Sequence, residues 1–75
     1  MTDVIKMGTL YFDRSNGERI TIAENISKQE VYKCITKAVK DMNPNYKIYY
    51  MREWETADGT RYDVGSHTEF FQFVE

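Results

Sequence analysis

Two short glycine-terminated segments, Ser15-Asn16-Gly17 and Ala57-Asp58-Gly59, each lie between stretches in which apolar and polar residues alternate. Alternation is the period of a strand with one buried face, and a short Gly-containing connection folds two such strands into an antiparallel hairpin. In the first stretch Leu10 and Phe12 alternate with Thr9, Tyr11 and Asp13, and Ile20 and Ile22 flank Thr21. In the second, Ile48, Tyr50, Arg52 and Trp54 share one parity, and Tyr49, Met51, Glu53 and Glu55 share the other. Gly65-Ser66-His67-Thr68 then interrupts the pattern, and Phe70-Phe71-Gln72-Phe73-Val74 resumes it as a last strand.

The length of each loop decides which side chains share a face. A two-residue Asn16-Gly17 turn would pair Phe12 with Thr21 and turn the isoleucines away from the core. A three-residue loop, Ser15-Asn16-Gly17, pairs Phe12 with Ile20 and Leu10 with Ile22, sets Asp13 opposite Arg19 and Arg14 opposite Glu18, and gives Gly17 the left-handed position. The same logic applied to Ala57-Asp58-Gly59 pairs Trp54 with Tyr62, Arg52 with Val64 and Glu55 with Arg61. That register also sets Glu53 against Asp63, an unfavourable pair unless water or a basic partner lies over it.

Between the hairpins stands one helix. Ser27 and Glu30 make an S-x-x-E capping box, with Ile26 and Val31 placed to form the hydrophobic staple. Val31, Ile35, Ala38, Val39 and Met42 recur at helical spacing with Cys34 beside them, and Asn43-Pro44-Asn45 ends the run. The expected fold is therefore α+β: one domain over residues 1–75, an antiparallel sheet of four or five strands, and one helix packed on one face. Its core would join the helix stripe to Leu10, Phe12, Ile20, Ile22, Ile48, Tyr50, Trp54, Tyr62 and Val64.

Size makes that core a thin one. A chain of 75 residues commonly needs a disulfide, a metal or a second subunit to add stability. Cys34 has no second cysteine to join, and with His67 it falls short of the four ligands of a structural zinc site, so no metal and no cofactor are expected. An aromatic-rich core or oligomerisation remains, and 15% aromatic residues fit the first. A lone cysteine, and six N-terminal residues without the apolar run of a signal peptide, point to the cytoplasm. No apolar run approaches the roughly 20 residues of a membrane span.

The net charge of −2 conceals an uneven distribution: residues 28–42 carry +2 and residues 48–75 carry −4. Lys33, Lys37 and Lys40 form a basic stripe on the helix, and Glu53, Glu55, Asp58 and Asp63 make the C-terminal hairpin acidic. Direct nucleic-acid binding is the weakest expectation from such a balance. Enzymatic candidates are poor. Adjacent Ser66 and His67 point apart on extended chain, and no orienting acid or nucleophile elbow accompanies them. Glu53, Glu55 and Asp63 on an open face read as solvated carboxylates, and Cys34 reads as a small core residue. The aromatics outnumber what one face can bury. Tyr11 and Tyr49 have the parity of the face opposite the helix, for which the available covers are the C-terminal strand or a second subunit.

The segment from Asp58 to Phe71, and above all Gly65-Ser66-His67-Thr68-Glu69-Phe70-Phe71, resembles the C-terminal part of small accessory proteins of phages and prophages of Gram-positive bacteria. The resemblance implies an intracellular protein made during infection, acting in the host cytosol; some phage proteins of this size are counter-defence factors. Three readings follow. The first is a non-enzymatic inhibitor of a host defence protein, anti-CRISPR-like, contacting its target through an acidic and aromatic surface: Tyr49, Arg52, Glu53, Trp54, Glu55, Asp58, Arg61, Tyr62, Asp63 and His67. The second is an oligomeric sponge for a nucleotide second messenger, with Trp54, Tyr62 or Tyr50 stacking on bases and Arg52 and Arg61 on phosphates. The third is a small nucleic-acid-binding regulator using the helix stripe.

Overall fold

A computed structural model describes residues 7–48, 51–65 and 69–75. Strands β1 (Met7–Asp13) and β2 (Arg19–Ser27) are followed by a 3₁₀ turn (Lys28–Glu30) and helix α1 (Val31–Met42), then by β3 (Arg52–Thr56), β4 (Gly59–Asp63) and β5 (Phe70–Val74). The strands form one antiparallel sheet in the order β2-β1-β5-β4-β3 with the helix on one face, the expected α+β arrangement. The last strand does not lie over the second face. It enters the middle of the sheet and joins the two hairpins, pairing Phe12 with Phe71 on one side and Tyr62 with Phe71 on the other.

The first hairpin has the predicted loop. The Arg14 N–H donates to the Glu18 carbonyl and the Gly17 N–H to the Arg14 carbonyl, Phe12 pairs with Ile20 and Asp13 with Arg19, and Gly17 takes φ +90°. Further along, the expected Leu10–Ile22 pair is replaced by Leu10–Ala23, because β2 shifts by a residue there and again before Ile26. The two shifts run in the same direction and add to two residues, which restores the parity, so Ile26 returns to the helix side; Asn25 absorbs the second at φ +54°, a conformation that Asn tolerates better than most residues.

Helix α1 starts as its capping box requires. The Glu30 carboxylate accepts hydrogen bonds from the Ser27 N–H at 3.2 Å and the Ser27 hydroxyl at 3.1 Å. The helix stops where Pro44 forbids continuation, with the Asn43 N–H donating to the Val39 carbonyl at 2.9 Å. Val31, Ile35 and Val39 bury the expected stripe against Leu10, Phe12, Tyr62, Val64, Phe71 and Phe73, each such burial being worth about 1.5–3 kcal/mol. Met42, expected in the stripe, stays 52% exposed, and Ile20 stays 37% exposed.

The second hairpin departs from expectation by one residue. Thr56 pairs with Gly59, leaving a two-residue turn, Ala57-Asp58, and the ladder runs Glu55–Thr60, Trp54–Arg61, Glu53–Tyr62, Arg52–Asp63. Gly59 is a strand residue, not a loop residue. It faces Val74 across the ladder, and a Cβ there would stand 1.8 Å from the Phe73 carbonyl oxygen. Close approach of the central strand selects that glycine, in addition to its own φ of +157°. The slip moves every β3 side chain to the other face, so Trp54 leaves the helix side and Glu53 enters it. It also replaces the Glu53–Asp63 repulsion with Arg52 opposite Asp63.

The two glycines therefore predict different costs. Gly17→Ala meets no atom within 4 Å and suffers only its positive φ, so it should lose about 1–2 kcal/mol in urea denaturation. Gly59→Ala must push β4 from β5 and should lose substantially more, with broadened amide spectra. Equal losses would contradict the register.

Candidate functional site

The reversed register assembles a set of side chains on the sheet face away from α1. Across the strands, Thr21 lies beside Tyr11, Tyr11 beside Gln72, Gln72 beside Arg61 and Arg61 beside Trp54. Asp13 organises this face. Its carboxylate accepts hydrogen bonds from Arg19 Nε at 2.6 Å and Nη2 at 3.0 Å, and from Arg61 Nη1 at 2.9 Å. The Arg19 bond, with Arg61 adding to it, holds the Asp13 carboxyl below its ordinary value even though partial burial pushes the other way. Arg19 is correspondingly raised, chiefly by the same bond.

Arg61 Nη1 also donates to Gln72 Oε1 at 3.1 Å, and Gln72 Nε2 donates to Thr56 Oγ1 at 2.8 Å and reaches Asp58 Oδ1 at 3.5 Å. A polar chain thus runs from β2 across the central strand to the β3–β4 turn. Above it, Arg19 lies over the Tyr11 ring and Arg61 over the Phe70 ring, each at 4.8 Å from the centroid. Trp54 stands edge-on to Phe70, with centroids 6.2 Å apart and planes at 79°. These groups roof Gln72, which is only 2% exposed although it points away from the helix. Trp54 itself remains 38% exposed at the sheet edge.

The residues expected from sequence are divided between two faces. Arg52, Trp54, Arg61 and Asp63 share the face just described, and Asp58 lies in the turn beside it. Glu53 and Glu55 point to the helix side, so Glu53, Glu55 and Asp63 do not form one carboxylate cluster. Tyr62, expected both in the core and on the contact surface, is fully buried in the core, so it is not available for contact. Tyr49 and His67, like Tyr50 and Ser66, lie outside the described residues.

On the helix side Glu53 makes a separate junction. The Tyr32 hydroxyl donates to its carboxylate, and Lys28 Nζ lies 3.9 Å from the other oxygen. The Tyr32 ring meets Tyr62 edge-on at 5.9 Å. The Tyr62 hydroxyl has no hydrogen-bond partner among the described residues. Burial first, and then the Glu53 carboxylate, push its phenol up to about 12.

Sequence reasoning paired Asp13 with Arg19 but missed Asp13 as the centre of the face, and missed Gln72 and Phe70. The available signal was Gln72, a polar residue inside the apolar run Phe70–Val74. Chemically, the arrangement is a surface of rings and of two guanidinium groups bridged by one carboxylate. Among the described residues no three His, Cys, Asp or Glu side chains converge to hold a metal ion, and no helix is long and apolar enough to cross a membrane. No protein-family model, curated protein or solved structure matches the chain.

The lowered Asp13 value fixes a pH dependence. Its stabilising contribution is complete above its unfolded value near 3.8 and is lost as pH falls through the lower folded value. Asp13→Asn should therefore cost about 1–2 kcal/mol at neutral pH. The gap from the unaltered chain should close as denaturation is repeated from about pH 5 to about pH 2. A gap of constant size would contradict the two-arginine clamp.

Proposed function

We propose that the chain is a non-enzymatic, phage-encoded binding protein that blocks a host defence protein, with the β3–β4 hairpin as its contact element. The observation that carries this reading is Trp54, a large aromatic left 38% exposed on an edge strand and braced from behind by Phe70. Tryptophan and arginine dominate the energetics of protein interfaces when their surroundings exclude water. Trp54 is such an anchor, and exposed Arg52 lies on the same face. The exposed carboxylates of Glu53, Glu55 and Asp58 surround the anchor on the other side of the strand and at its tip, and they would steer the hairpin toward a basic surface such as a nucleic-acid-binding groove.

Two features weigh against the sponge. Tyr62 is buried and cannot stack on a base. Arg19 and Arg61 already share the Asp13 carboxylate, which lowers their value as phosphate ligands.

Trp54 is the only tryptophan, so its emission reports directly on this surface. Titration with purified basic, nucleic-acid-binding nucleases from Gram-positive defence systems is expected to shift the emission to the blue for a target. Affinity should fall with added salt, and Trp54→Ala should lose at least about 2 kcal/mol of binding. Unchanged emission across the panel at low ionic strength would overturn the reading. Calorimetry against cyclic dinucleotides should give a flat trace, and heat of binding there would favour the sponge.

A further inference from the structure

A sheet in the order β2-β1-β5-β4-β3 ends in two edge strands, β2 and β3. The outer side of an edge strand carries backbone N–H and C=O groups that no neighbour pairs, and it can accept a further strand. The two edges differ. β2 keeps an unshifted ladder to β1 only over Arg19, Ile20 and Thr21. Two shifts and Asn25 at φ +54° follow, and such irregularities turn an edge away from new pairing. β3 pairs with β4 from Arg52 to Thr56 without a shift, and it contains no glycine and no proline. Its outer edge meets no other strand among the described residues. Hydrogen-bonded and non-hydrogen-bonded pairs alternate along an antiparallel ladder, so every second residue of β3 aims its N–H and C=O outward.

The side chains of β3 select what can pair there. Glu53 and Glu55 share the helix side, and Arg52, Trp54 and Thr56 share the other. A closed dimer through antiparallel β3 strands has its two-fold axis normal to the sheet. Centred on Trp54, it sets each Glu53 opposite a Glu55; centred on either glutamate, it sets that carboxylate against its own copy. Like charges directly opposite are destabilising, so a second copy is a poor occupant.

Positive charge suits the same positions. Lys28, at 3.9 Å, offsets Glu53 in part, whereas exposed Glu55 has no ion pair among the described residues. The excess continues past the end of the strand, where the depression at the β3–β4 turn sets Lys28 against Glu55, Asp58 and Glu75.

We propose that β3 is a strand-pairing edge and that its occupant is an extended segment of the partner protein, with Lys or Arg at the alternate positions facing Glu53 and Glu55 and apolar residues between them, beside Trp54. This rests on the β3–β4 hairpin being the contact element, and it states how the partner is held. Backbone hydrogen bonds supply affinity, and the alternating side chains choose the sequence.

The test uses the full chain and three synthetic peptides of equal length. One alternates lysine with valine, one alternates glutamate with valine, and one is the lysine peptide N-methylated throughout, which removes its backbone donors. The lysine peptide should bind saturably, with amide shifts along β3 and not β2, and at least about tenfold more tightly than the glutamate peptide. The N-methylated peptide should not bind. Glu55→Lys, at an exposed position, should shrink the preference for lysine severalfold without changing the melting temperature. Equal affinities, absence of binding, or binding retained after N-methylation would overturn the proposal. So would a dimer of the chain alone through β3, or binding that appears only once residues 1–6 are removed, since the edge would then have another occupant. A nuclease that shifts the Trp54 emission but leaves the β3 amides unprotected from exchange would overturn strand pairing and keep the contact hairpin. Peptide pairing with no nuclease bound would count against the blocking role alone.

Discussion

The fold depends on β5 being inserted between the two hairpins. β1–β2 and β3–β4 share no strand pair, and the sheet is continuous only because β5 pairs with β1 on one side and β4 on the other. Its alternation serves both faces at once. Phe71 and Phe73 fill the core beneath α1, while Phe70 and Gln72 face away from it. Gln72 must then satisfy its amide in a nearly dry setting, and it does so by bonding Arg61 and Thr56. Phe70 gives Arg61 and Trp54 a surface to lie against. The same insertion demands Gly59, where β4 approaches the Phe73 carbonyl too closely for a side chain.

From that insertion follows the division of labour between the faces. The helix side holds the apolar core and the Tyr32–Glu53 junction, which ties the start of α1 to the far edge of the sheet. The opposite side is a polar scaffold in which one carboxylate bridges two guanidinium groups and rings pack against both. Such a face is stiff and largely satisfied internally. What it presents outward is Trp54 at the edge, with exposed Arg52 on the same face.

Much of this was legible in the chain because the signals were local. The Ser27/Glu30 box, the Val31-Ile35-Val39 stripe and the Gly17 loop each depend on residues close in sequence, and each formed as the spacing demanded. The second hairpin misled because its turn resembles the first. Gly17 is required by its own backbone alone, whereas Gly59 is required also by Phe73, fourteen positions away. No local pattern distinguishes these demands, and one residue of slip exchanged Trp54 with Glu53 on the helix side. The unfavourable Glu53–Asp63 pair was the warning that the sequence did contain. The shifts in β2 escaped for the same reason, since Ile20, Ile22 and Ile26 share one parity and suggest an unbroken strand.

The proposed contact surface depends on which way Trp54 points. Because it is the only indole in the chain, its nuclear Overhauser contacts can be read without ambiguity. The account predicts contacts from the indole protons to the Phe70 ring and to the Arg61 side chain. Contacts to Tyr62, Val31 or Ile35 would place Trp54 under the helix and contradict it.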